Sequence, residues 1–148
     1  MIHISSLYSA RKCLALSLKN MKKMQKDIDN FGSKQEFIYQ NLSCKAFRDY
    51  NYKHWTGYVL IPNSLVNDEF NNLEAVSNRV INRGSDWNNG HYVWFSCDKY
   101  DDFSLSHYIS KTLDETPIYD QTYKSYQWVE DLFIKIVDKI YELHDTQN

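Results

Sequence analysis

His54-Trp55-Thr56-Gly57-Tyr58-Val59-Leu60-Ile61-Pro62 is the most strand-like run in the chain. Its β-branched and aromatic residues suit a pleated, half-buried surface, and Gly57 lets another backbone or a ligand come close. Pro62 ends the run, because it has no N–H to give to a ladder. Upstream, residues 42–48 read as a second strand, and the polar turn Asp49-Tyr50-Asn51-Tyr52-Lys53 joins the two as a hairpin. That hairpin sets the expectation of an antiparallel sheet.

Outward from it, residues 6–30 lack Gly and Pro and are rich in Leu, Lys, Met and Ala, all good helix formers. Leu14, Leu18, Met21, Met24 and Ile28 step by three or four, which puts them on one face. Asn30-Phe31-Gly32 supplies a stop. Met21 and Met24 open a basic, start-like stretch, so the first twenty residues read as dispensable. Residues 35–39 fit helix or strand, residues 63–72 a loop with a helical turn near 68–73, and residues 76–82 a third strand. Arg83-Gly84-Ser85-Asp86-Trp87-Asn88-Asn89-Gly90 has loop chemistry. Residues 91–97 read as a fourth strand, 98–103 as an acidic aromatic loop and 104–113 as a short helix. Near the end, Tyr126, Val129, Phe133, Ile136, Ile140 and Leu143 form one apolar stripe, widened by Leu132 and Val137. Asp120 or Thr122 is the expected cap, with Pro117 just outside. Such a stripe covers a sheet.

The expected fold is therefore α+β: an antiparallel sheet of about three to five strands packed on a long C-terminal helix. Residues 1–34 form an appended N-terminal helical extension that adds to the core or reaches a partner, and residues 35–148 a single α+β domain.

The 148 residues suffice for one core without staples. Cys13, Cys44 and Cys97 are odd in number and lack metal-ligand spacing, which fits reduced thiols in a cytosolic protein. Aromatic residues make up 16% of the chain, with twelve Tyr and four Trp, enough for a large aromatic core or a display of rings on a binding surface. A net charge of −2 argues against a general nucleic-acid binder and against a DNA mimic alike. No apolar run approaches the ~20 residues of a membrane span, and the stretch after Cys13 is too short for a signal core. The chain reads as soluble and cytosolic, without a membrane partner.

The order of features resembles a widespread family of small phage and prophage proteins of unassigned function. The resemblance rests on Leu42-Ser43-Cys44, on His54-Trp55-x-Gly57-Tyr58-Val59 with Pro62, and on Val80-Ile81-Asn82-Arg83-Gly84. Trp94-Phe95-x-Cys97 and Thr122-Tyr123-Lys124 complete it. Members read Asp-Cys, then His-Trp-Cys-Gly-Tyr-Val, then His-Gly-Gly, then Trp-x-Gly-Phe-Asp-Cys-x-His with an Asp shortly after. A Tyr-Arg motif leads into their last helix. This chain has Asn82-Arg83-Gly84 in place of His-Gly-Gly, and Ser96 and Lys99 where the Asp and His flank the second Cys. The resemblance implies a phage origin, a small α+β fold and a place in the host cytoplasm.

Two imidazoles, His54 and His91, open strands and are the acid–base candidates, with Cys97 the candidate nucleophile of a hydrolase. His54-Trp55-Thr56 matches one His-x-Thr box of two-histidine phosphoesterases, but neither His91 nor His107 supplies the second box. Lys99 follows Cys97 at a same-side spacing, while burial of Cys44 and Cys97 is the plainer reading. Asp98, Asp101 and Asp102 fit no standard calcium loop. No metal or cofactor is expected. The best anion site is the 83–87 loop, where Arg83 offers a planar fork and Trp87 a stacking face. Arg48 and Arg79 are further candidates.

These residues support three readings. In the first, Trp55, Tyr58, Arg83, Trp87 and His91 wall a cleft that holds a small nucleotide-like ligand without turnover, sequestering a host-defence signal. In the second, the Tyr-rich loops at Tyr50, Tyr52 and 100–103 anchor an inhibitor to a host defence protein. In the third, a hydrolase uses His54 with His91 or Cys97. A homo-oligomer is compatible with each.

Overall fold

A computed structural model describes residues 4–66, 73, 81–86, 90–99, 101–105 and 121–146. Helix α1 (Ile4–Phe31) leads into strands β1 (Lys34–Tyr39), β2 (Leu42–Arg48) and β3 (Trp55–Ile61). A 3-10 turn (Asn63–Leu65) follows, then β4 (Asn82–Asp86), β5 (Gly90–Ser96) and α2 (Tyr126–Thr146). The strands form one sheet in the order β1-β2-β3-β5-β4, every neighbour antiparallel. The fold is α+β, as the hairpin reading requires.

Strand alternation divides the sheet into two unlike faces. Leu42, Cys44 and Ala46 of β2, Trp55, Val59 and Ile61 of β3, and Val93 and Phe95 of β5 are buried together on one side. Helix α2 covers that side, and all eight residues of its predicted stripe are buried. Gly57 sits where the helix comes closest: a Cβ there would lie 2.5 Å from Phe95 Cζ and 2.8 Å from Phe133 Cε1. The Tyr39 hydroxyl donates to Asp138 (2.9 Å) and the Tyr141 hydroxyl to the Gln40 carbonyl (2.6 Å), fastening the β1–β2 turn to α2.

Two expectations are corrected, and the open reading of residues 35–39 is settled. Residues 35–39 belong to β1, whose two-residue turn uses Gln40 and Asn41, both at positive φ (49° and 68°). That is the backbone of a tight hairpin whose usual signal is Asn-Gly, so the sequence hides it. Residues 83–86 are strand rather than loop, because the β5 ladder overrides their weak strand propensity. Gly84 is needed there, since a Cβ would collide with the Tyr92 ring. Helix α2 starts at Tyr126, capped by the Ser125 carbonyl and hydroxyl, and Thr122 instead bridges to Asp102.

Helix α1 turns only part of its apolar face inward. From Leu14 onward its buried positions are Ser17, Asn20, Met24 and Asp27, while Leu14 and Leu18 are 53% and 51% exposed. Polar contacts decide this orientation. Asn20 donates to the Gln121 carbonyl (3.0 Å) and accepts from the Tyr123 N–H (2.9 Å), and Met24 packs on Phe103 and Tyr123. The second half of α1 is thus built into the body of the protein. The expectations for residues 68–72 and 76–80, for Arg79, Trp87, Tyr100 and His107, for the helix over 106–113, and for Pro117 and Asp120 lie outside the described residues.

Candidate functional site

Two regions carry more polar or aromatic side chains than packing alone requires. The first lies where α1, the ends of β2 and β3, and the start of α2 meet. The β2–β3 register sets Arg48 opposite Trp55, with the guanidinium carbon 4.2 Å over the indole ring. Arg48 donates to the carbonyls of Gly32 and Lys53 (both 2.8 Å) and to the Tyr123 hydroxyl (2.7 Å). It also pairs with Asp27 at 3.2 Å, both side chains only 3% exposed. Asp27 takes three more donors: Trp55 Nε1 (2.8 Å), the Tyr123 hydroxyl (2.5 Å) and the Tyr126 N–H (3.0 Å). The last bond sets a carboxylate at the positive end of α2.

A buried ion pair is tolerable only when its remaining donors and acceptors are also met, and this one meets that condition. Burial, reinforced by the bond to Asp27, holds the Tyr123 phenol protonated well above the ordinary range. The Tyr126 phenol is pushed up to about 12, mainly by burial and then by Glu130. Arg48, an anion candidate by sequence, is committed to the chain's own aspartate. Asp27 carried no sequence signal beyond being an acid on a helix.

Beside this knot, His54 is 7% exposed and its Nε2 lies 3.8 Å from Asp98 Oδ2. Cys97 is buried and donates its N–H to the Trp55 carbonyl (2.8 Å). Burial pushes the Cys44 thiol up to about 12, the setting of a structural cysteine. The acidic cluster is split: Asp102 is fully buried, 3.2 Å from Lys124 Nζ, whereas Asp101 is exposed. Among the described residues, no group of His, Cys, Asp and Glu is placed to hold a metal ion.

The four expected ligand residues among those described do not converge. Trp55 is sealed in the core. Tyr58 points to the opposite face of the sheet, paired with Trp94. Arg83 is exposed on β4 opposite Val93, and so on the α2 side of the sheet. His91 pairs with Ile61 at the far end of β3 from Trp55 and His54. Trp87 lies outside the described residues. The separation also parts His54 from His91 by the length of a strand, so they cannot share one proton transfer.

The second region is the face of the sheet turned away from α2. Phe47, Tyr58, Tyr92 and Trp94 project there from three adjacent strands. Tyr58 is central: its ring centroid is 5.9 Å from Phe47, 5.9 Å from Tyr92 and 6.4 Å from Trp94, the last pair stacked. Beside the rings runs a cleft of about 460 Å³ whose border includes Lys45, Thr56 and Leu60. Asp49 also borders it, but its carboxylate accepts from the backbone of Asn51 and Tyr52 (3.0 and 2.7 Å) and so braces the β2–β3 turn. Tyr58 is the one of these residues that the sequence reading named as a ligand contact, whereas Trp94, read as core rather than platform, turns to the open face beside it. The alternation of Tyr92 and Trp94 with Val93 and Phe95 holds the rest of the signal.

Comparison with protein-family models, with curated proteins and with solved structures finds no match to this chain.

Proposed function

We propose that the open face of the sheet binds a planar ligand bearing an anionic group, a nucleotide, and holds it without turnover. The observation that carries this reading is the Tyr58-centred group of four rings beside a cleft bordered by Lys45. Its volume of about 460 Å³ falls within the range of small-molecule sites. Nucleobases stack on such rings with little regard to identity, and each stack is worth about 1–3 kcal/mol. The Lys45 ammonium supplies a point charge for phosphate. Asp49, the acid at the cleft, is engaged with its own turn, which favours holding over cleavage. With the phage resemblance, the role is sequestration of a nucleotide signal of host defence in the host cytoplasm.

Titration with a panel of linear and cyclic nucleotides tests this, read by calorimetry and by quenching of Trp94 emission. Tyr58→Ala and Lys45→Ala should each weaken binding about tenfold or more, the loss of roughly one such contact, while the melting temperature stays near that of the parent. If no nucleotide binds, or if Tyr58→Ala binds as the parent does, the reading fails. Turnover of a bound nucleotide that His54→Ala abolishes would make the protein a hydrolase instead.

A second reading rests on the β2–β3 turn, where Tyr50 and Tyr52 are 87% and 42% exposed. Exposed tyrosines are frequent anchors of protein interfaces, and this pair suits an inhibitor of a host defence protein. Binding to such a factor that Tyr50→Ala/Tyr52→Ala abolishes, without effect on any nucleotide, would support it.

A further inference from the structure

Helix α1 has a property that its inward contacts do not use. Six of the chain's seventeen Lys and Arg residues, and none of its nineteen Asp and Glu, precede Asp27. Lys19, Lys22, Lys23 and Lys26 all stand on the exposed side of the helix. Next to them, one turn apart, are the exposed Leu14 and Leu18. A solvated helix face commonly mixes charge signs, whereas residues 14–26 present four lysines beside two exposed leucines and no acid.

Helix α2 carries the opposite pattern. Its exposed residues are Gln127, Asp131, Lys135, Asp138, Glu142, Asp145 and Thr146, and Lys139 pairs with Glu142 beside them (3.1 Å), which makes four acids to two bases. Both rows recur every three or four residues. The seven helical steps from Lys19 to Lys26 therefore span the same ~10 Å as those from Asp138 to Asp145. Pairing α1 with α1 of another copy would set like charges together, whereas α1 against α2 sets unlike ones together.

We infer that α1 is one half of an interface between two copies of this chain, its basic outer face lying along the acidic outer face of the other copy's α2. A two-fold arrangement makes this contact twice and closes the dimer. Leu14 and Leu18 supply the apolar part, which a nucleic-acid backbone would leave in water. The inference is independent of the nucleotide reading, since no residue that lines the cleft belongs to α1 or α2.

Sedimentation velocity on the full chain tests it. The expected result is a dimer at low salt that dissociates as NaCl is raised. Lys19→Glu/Lys22→Glu/Lys26→Glu should be monomeric, as should Asp131→Lys/Glu142→Lys/Asp145→Lys. Each alone sets like charges across both contacts. Mixed together, the two variants should recover a dimer, because every contact then joins unlike charges. All these positions are exposed, and circular dichroism confirms that each variant is folded.

A monomer at every concentration overturns the inference, and so does a dimer indifferent to both triple variants. A dimer lost in Leu14→Ser/Leu18→Ser but insensitive to charge and salt overturns the α1–α2 pairing. A monomeric parent whose basic face binds a thymidine oligonucleotide or phosphatidylglycerol vesicles, and loses both in the lysine variant, gives the surface to a polyanion and also overturns it.

Discussion

Asp27 joins four positions that lie 21 to 99 residues from it, namely Arg48, Trp55, Tyr123 and the first N–H of α2. Removing one member of a buried ion pair strands the other charge, at a cost of about 3–5 kcal/mol. Asp27→Ala is therefore expected to lower unfolding free energy by that amount in urea titration, far more than substitution of the exposed Asp29. Gly57→Ala inserts a methyl between Phe95 and Phe133 and should cost about 1–3 kcal/mol.

Two buried groups also give stability a sign with pH. Cys44 and Tyr123 both have folded-state pKa values raised above their unfolded ones. Their contribution is complete below the unfolded values and is lost as pH rises through the folded ones. For Cys44 the loss runs from the ordinary 9.0 to about 12. Across it each pH unit removes about 1.4 kcal/mol. Urea midpoints should thus fall steadily above the thiol range, and Cys44→Ala should make the first part of that fall shallower.

Among the elements, α2 and the β2–β3 hairpin were legible because each has a clean period and a distinct stop. Helix α1 was legible as a helix but not in its rotation. Spacing puts Leu14 and Leu18 on one face with Met24 but does not say which face turns inward, and Asn20 and Asp27 win the inward positions through bonds to residues 121–126, about a hundred positions away. Strand β4 was missed because Asn-Arg-Gly-Ser-Asp pairs through its backbone, which side-chain propensity does not report. A chain beginning at Met21 tests what α1 contributes. It keeps Met24 and Asp27 but loses both bonds of Asn20, so it should fold with about 1–3 kcal/mol less stability. Asn20→Ala in the full chain should reproduce much of that deficit by the same urea measurement.

At the scale of the whole molecule, the sequence supplied the aromatic residues of a binding face without saying which way they turn. Trp55 and Tyr58 are three residues apart, and on a strand that spacing sends them to opposite faces. Once the faces are sorted, Phe47, Tyr92 and Trp94 join Tyr58, while Trp55 leaves for the core. A nucleotide held by those rings should raise the melting temperature of the parent but not of Tyr58→Ala, which calorimetry can check alongside the titration.

The placement of Asp27 also bears on how the chain is made. Synthesis proceeds from the N-terminus at about 5–20 residues per second. Asp27, Arg48 and Trp55 therefore leave the ribosome seconds before Tyr123 and the helix that roofs the sheet. Through that interval the hairpin has one oily side bare, and the Asp27–Arg48 pair lacks its bonds to Tyr123 and Tyr126. Nascent chains stalled short of residue 121 should be captured by chaperones and cut readily by proteases, and release of the last helix should end both.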